Sequence, residues 1–198
     1  GTQTESNNGN MVAWNWKANG AGVSNTDGSI TSTVSVGATQ GFSVVTYTGT
    51  GANATVGHGL GVAPKMIIVK QRSAVQSWPV YHTSIGSANV IYLDLTNASA
   101  ASTAWQSTTP TPTVFSIGTS AATNTNAGTY VAYCFSEVAG YSKFGSYTGN
   151  GSTDGPFVFC GFRPRYLLVK ASSGTNAATA NWIVWDSSRD TYNKMTDY

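Results

Sequence analysis

Charge is scarce in this sequence. Asp, Glu, Lys and Arg together make up 9% of its 198 residues, and the formal net charge is only +2. The ten Lys and Arg are scattered singly, so there is no basic stripe of the kind that holds nucleic acid through its phosphates. Two cysteines, Cys134 and Cys160, are too few for a disulfide framework. Free thiols are the expectation, in keeping with folding in a reducing cytoplasm, and a single Cys134–Cys160 bridge is the alternative. No apolar run is long enough to span a bilayer as a helix, and the polar start GTQTESNNGN does not read as a signal peptide. Helical periodicity is absent almost everywhere; only 186–198, DSSRDTYNKMTDY, reads as a short helix.

What is present is Gly, Ser, Thr, Asn and Ala, with six Trp, ten Tyr and seven Phe. That many aromatics argue for a folded, turn-rich β protein and against a disordered chain. The chain is long enough to bury a real core.

The sequence also repeats itself. Residues 41–70 read GFSVVTYTGTGANATVGHGLGVAPKMIIVK, and residues 141–170 read YSKFGSYTGNGSTDGPFVFCGFRPRYLLVK. Without gaps, Tyr47, Thr48, Gly49, Gly51, Pro64, Val69 and Lys70 meet identical residues one hundred positions later. A turn signal, a proline and a hydrophobic run recurring at one offset indicate a duplicated β unit. A second match has an offset of 119: NNGNMVAWNW (7–16) pairs with NAGTYVAYCF (126–135). The 19 extra positions lie in a polar segment with an Asp27-Gly28 turn and a strand candidate, Ser29 to Val36. The organisation expected is therefore residues 1–17 as the terminal strand of a preceding copy, 18–40 as a polar insertion or linker, 41–140 as a complete repeat and 141–198 as a second, partial one.

Within the complete repeat, strands are expected over 42–48, 54–60, 65–72, 78–82, 90–96, 114–118 and 129–138. The apolar run Met66-Ile67-Ile68-Val69 predicts a strand buried on both faces. Turn residues recur every eight to twelve positions, which predicts an all-β fold: an antiparallel β-sandwich, jelly-roll or lectin-like, with little or no helix.

Residues that could carry chemistry are few. The eight carboxylates form no motif-bearing pair of the sort a glycosidase sets across its substrate, although Asp94 and Asp186 could meet in space. His58 and His82 have no cysteine or carboxylate at ligand spacing, so neither a metal nor a cofactor is expected. His58, between two glycines, is expected to bond nearby backbone, while His82 could touch a ligand. There is no Gly-x-Ser-x-Gly elbow and no phosphate-binding glycine loop, and no catalytic residue is assigned. The aromatics are the better candidates, because Trp and Tyr combine a broad apolar face with a polar handle. Trp78, Tyr81, His82, Trp105, Trp182 and Trp185 are the candidate ligand- or interface-binding residues. Trp78 and Trp182 recur between the copies, which equally suits a core plug; Trp14 and Trp16 share one face of a strand and read as packing residues.

The string VTYTGTGANATVGHGLGVAPKMIIVK with Trp78 and Tyr81-His82, its partner half with Trp182 and Asp186, and VAWNWKA near the start are similar to a repeated β-module of tail-fibre and other structural proteins of tailed bacteriophages, of the marine type. The resemblance covers nearly the whole chain. It implies a non-enzymatic virion component, assembled in the host cytoplasm and exposed outside the cell, in a tail fibre or similar appendage, with a possible role in host adhesion. Expected partners are further copies of the chain, with a trimer favoured by analogy, other virion proteins and a host-surface glycan, but neither nucleic acid nor a membrane. Two other classes remain open: a carbohydrate-active depolymerase and a secreted carbohydrate-binding adhesin.

Overall fold

The computed structural model describes Ala13 and residues 15–188. The chain is an antiparallel all-β protein whose strands are β1 (Val23–Asn25), β2 (Ser32–Gly37), β3 (Phe42–Thr48), β4 (Ala54–Gly57), β5 (Met66–Gln71), β6 (Pro79–His82), β7 (Asn89–Tyr92), β8 (Ala100–Ala101), β9 (Val114–Ile117), β10 (Thr129–Phe135), β11 (Tyr166–Val169) and β12 (Ile183–Asp186). One helical turn, α1 (Ala121–Asn124), precedes β10. Eight strands form the main sheet in the order β1-β2-β3-β10-β5-β6-β7-β8, and β4-β9 and β11-β12 form two small sheets. Trp14 lies outside the described residues; of the short helix expected over 186–198, Asp186 ends β12 and residues 187–188 form a turn, and the rest lies outside the described residues. No described helix is long and apolar enough to cross a membrane.

Of the eight strands in the main sheet, the one latest in sequence, β10, lies at its centre. β10 pairs with β3 on one side (Tyr130 opposite Tyr47) and with β5 on the other (Tyr130 opposite Gln71). Alternation sends Tyr130, Ala132 and Cys134 inward, where all three are fully buried with Val45, Tyr47, Ile67 and Val69. The β4-β9 pair, bringing Val56, Phe115 and Ile117, covers this face, so the core lies between two layers of unequal width. Each such aliphatic or aromatic side chain contributes roughly 1.5–3 kcal/mol on burial. The segment 29–37 joins the layers: Ile30 bridges Val56, and Val34 pairs with Val45. Residues expected to be an insertion thus supply two strands of the main sheet.

Turn chemistry fastens the ends. Tyr47 and Tyr130 stack, with centroids 5.1 Å apart and planes at 11°. Their hydroxyls donate to the carbonyls of Thr123 (2.8 Å) and Ala121 (2.7 Å), which anchors α1. The buried Asn124 then holds the Thr48–Ala52 turn: its Oδ1 accepts from Thr50 N (2.7 Å) and Gly51 N (3.3 Å), and its Nδ2 donates to Ala52 O (2.6 Å) and Gly118 O (2.8 Å). This single turn of helix exists through those bonds, since four residues have little intrinsic helical stability.

The residues that recur at the offset of one hundred share local geometry. Gly51 and Gly151 take φ of 73° and 70°, and Gly61 and Gly161 take 73° and 80°, a region that side chains with a Cβ rarely enter. β5 pairs with β6 through Met66–His82 and Ile68–Val80, and β11 pairs with β12 through Tyr166–Asp186 and Leu168–Val184. The second hairpin loop is four residues longer, so Trp78-Pro-Val-Tyr-His82 superposes in register on Trp182-Ile-Val-Trp-Asp186. Both free cysteines are part of this framework: Cys134 lies in the core and Cys160 is half-buried.

Candidate functional site

The second copy packs against the loop that follows β7. Ser99 N and Oγ both donate to Ser172 O (3.0 Å each), and Lys170 Nζ donates to Thr96 O (2.9 Å) and Ala177 O (3.2 Å). Lys70, its counterpart in the first copy, similarly donates to Gln76 O. The repeated lysine therefore pins the loop after its own strand, and in the second copy it also grips the first. Burial lowers the Lys170 pKa from its ordinary value.

The same loop after β7 borders a shallow groove of about 410 Å³ lined entirely by residues of the first copy. Gln76 and Ser77 form one wall, Leu95, Asn97, Ala98 and Ala100 another, and Tyr92 and Ser120–Ala122 complete it. No lining residue carries a formal charge. Amides, hydroxyls and one phenol can exchange hydrogen bonds with a neutral polar ligand, while Leu95 and the tyrosine ring offer apolar contact.

Two of the six candidates converge beside this groove. Trp182 Nε1 donates to Tyr92 O (2.7 Å), and Trp78 O accepts from Leu93 N (3.0 Å) while Trp78 N donates to Asp94 Oδ1 (2.9 Å). Both tryptophans are thus anchored on residues 92–94, which run directly into the groove wall. The Lys70 ammonium lies 5.6 Å from the centroid of the Trp78 ring, within cation–π range. Both indoles are half-buried.

The other four lie elsewhere. Tyr81 and Trp105 are inside the core, edge to face at 6.0 Å, and Trp105 is only 2% exposed with no partner for its indole N–H. Burial pushes the Tyr81 phenol up, partly opposed by a hydrogen bond with Thr83. His82, at the end of β6, accepts from Ser84 N (3.1 Å) and lies beside the Phe144 ring (6.4 Å); burial pushes its pKa down. Trp185 is half-buried on β12 opposite Leu167.

His58 bonds backbone on both nitrogens. Its Nδ1 accepts from Leu60 N (3.2 Å), which leaves Nε2–H to donate to Thr111 O (3.1 Å). Buried between these partners, the imidazole is held neutral and its pKa is lowered, desolvation outweighing the Thr111 bond and the Asp27 charge. Asp94 and Asp186 each accept from a backbone amide, Trp78 N and Ser188 N (2.8 Å). Among the described residues no three His, Cys, Asp or Glu side chains stand close enough to hold a metal ion. The Cys134 thiol is pushed up to about 12 by burial, which makes it a poor nucleophile.

Tyr92, Gln76 and Asn97 were not singled out in the sequence, and no local pattern marks them. Lys70 and Lys170 did carry a signal, their recurrence at the repeat offset. No curated protein and no solved structure matches the chain. A family model matches residues 1–198; the chain belongs to the family described as a domain of unknown function, DUF7483.

Proposed function

We propose that this chain is a non-enzymatic structural module of a tailed-bacteriophage virion, part of a tail fibre or similar appendage, and that it adheres to a host-surface glycan through the groove beside the loop that follows β7. The observation that carries the reading is the groove itself: uncharged, lined by amides, hydroxyls and small apolar side chains, with Trp78 next in sequence to the lining residue Ser77 and Trp182 bonded to the carbonyl of the lining residue Tyr92. Sugar hydroxyls exchange hydrogen bonds with such groups, and indole faces stack on sugar rings. The sequence resemblance to virion modules and the low surface charge support the same reading. A rigid extracellular β-module with few charges holds its contacts across a range of salt. The module is proposed to act as a homo-oligomer, a trimer by analogy with phage fibres, joined to other virion proteins.

The test is binding of the labelled, folded chain in its native oligomeric state to candidate host cells and to glycans extracted from them. Saturable binding is expected, weakened about tenfold or more by Trp78→Ala or Trp182→Ala without unfolding. No saturable binding would overturn the adhesive part of the proposal. A fall in polysaccharide viscosity on incubation would replace it with a depolymerase, and a light-scattering mass of one chain would remove the oligomer.

A further inference from the structure

The loop between β7 and β8 forms one wall of the groove through Leu95, Asn97 and Ala98. Its first residues are tied within the first copy: Leu93 N donates to Trp78 O (3.0 Å), and Asp94 Oδ1 accepts from Trp78 N (2.9 Å). From residue 95 to residue 99 the hydrogen bonds run instead to the second copy. Thr96 O accepts from Lys170 Nζ (2.9 Å), and Thr96 Oγ1 donates to Ala178 O (3.4 Å). Ser99 donates to Ser172 O from both its amide and its hydroxyl (3.0 Å each). This wall is built by one copy and held by the other.

Lys170 is at the centre of that support. Its ammonium has three N–H donors and meets three backbone carbonyls: Thr96 O and Ala171 O at 2.9 Å and Ala177 O at 3.2 Å. One acceptor belongs to the wall and two to the second copy, so a single nitrogen ties them together. The planar fork of an arginine does not match three acceptors gathered around one point. Lys70, the matching residue one hundred positions earlier, does the same for the facing wall. It donates to the carbonyl of Gln76, which lines the groove, and its ammonium lies 5.6 Å from the centroid of the Trp78 ring. Neither lysine lines the groove itself.

From this pairing we infer that Lys70 and Lys170 are positioning residues that hold the two facing walls of the groove, one lysine from each copy, and so fix the spacing that a bound neutral glycan meets. The consequence for affinity rests on the glycan-binding reading given above. A wall fixed in advance does not have to be ordered when the ligand arrives, so binding costs less conformational entropy. The second copy then has a role in recognition without touching the ligand, because it is the support against which the Leu95–Ala98 wall is set.

Two measurements on the full chain test this, and the first needs no ligand. In hydrogen exchange, Lys170→Met is expected to speed exchange of the Ser99 amide about tenfold or more, and Lys70→Met that of the Trp78 amide, each with a clearly smaller effect on the other wall. Unchanged exchange at both amides overturns the inference. In the second, affinity for extracted host glycan is expected to fall roughly tenfold in either Met variant, with the urea midpoint used to show that the chain stays folded. Arginine should restore most of the affinity at position 70, where it meets one carbonyl and an indole face, and little of it at position 170. Equal rescue at both positions, or undiminished affinity in both Met variants, overturns the inference while leaving the glycan reading in place. No binding by the unaltered chain overturns the glycan reading, and the exchange result still decides whether the lysines hold the walls.

Discussion

The two copies use the same local grammar and bury different amounts of it. Gly51 and Gly151 have the same left-handed backbone, the hairpins β5-β6 and β11-β12 have the same register, and Lys70 and Lys170 both pin the loop after their strand. Yet Tyr47 stacks on Tyr130 and is 5% exposed, while Tyr147 is 53% exposed. Where the first copy has Gly57, buried in β4 and paired with Val114 of β9, the second has Phe157, at 90% exposure. Turn and hairpin geometry therefore follows the residues within it. Burial follows whichever segments supply the neighbouring strand and the covering layer, and for the first copy these are β10 and β9.

The sharpest way to break the comparison is to remove the repeated tyrosine from each copy. Tyr47→Ala is expected to destabilise by about 3–5 kcal/mol in urea unfolding, because it leaves a cavity beside Tyr130 and orphans the Thr123 carbonyl. Tyr147→Ala should fall within about 0.5 kcal/mol, as expected of an exposed site. Similar losses at both positions would mean that the second copy carries a core of its own.

Next in size is Asn124→Ala, which strips the clamp on the first-copy turn. It leaves the amides of Thr50 and Gly51 without their acceptor, at an expected cost of about 2–3 kcal/mol by the same measurement. Gly51→Ala should then cost about 1–2 kcal/mol through its positive φ. Gly151→Ala has the same φ but should register mainly as faster local proteolysis of residues 147–155, with a smaller change in global stability.

The smallest effect is on pH dependence, and it belongs to the first copy. The His58 pKa is depressed by burial, so below the ordinary histidine value of about 6.5 the unfolded chain binds the proton more readily than the folded one. This contribution to stability is full above that value and declines as pH falls toward the folded-state pKa; His82 acts in the same direction. Urea midpoints should fall between pH 7 and pH 5, and His58→Gln should flatten part of that slope. A midpoint that rises on acidification would contradict the buried neutral imidazole.

Much of the fold was legible. The expected strand 42–48 coincides with β3, because alternating apolar and polar residues end there in a glycine turn. The expected strand at 54–60 stops at Gly57, since His58 turns inward to Thr111 and Gly59 takes φ of 69°. The expected strand at 90–96 gives way after Tyr92 to the groove wall, where Asp94 holds Trp78 and Lys170 takes the Thr96 carbonyl. Neither restraint has a local pattern, since both join segments far apart in sequence. The candidate site was half legible for the same reason. Recurrence picked out Trp78 and Trp182, but the same aromatic chemistry also fits Trp105 and Tyr81, which the core absorbs.

By itself the amino-acid sequence determined the all-β class, the recurrence of residues 41–70 at 141–170, the positions of the turns and the near absence of charge. These depend on interactions within a few residues: side-chain alternation, glycine backbone freedom and proline stiffness. The tertiary structure alone decided that β10 lies between β3 and β5, that residues 29–37 join the two layers, and that Tyr47 is buried while Tyr147 is exposed. Strand neighbourhood is a long-range choice, set by which faces can be buried together, and residues with the same local preferences become core or surface according to what arrives beside them.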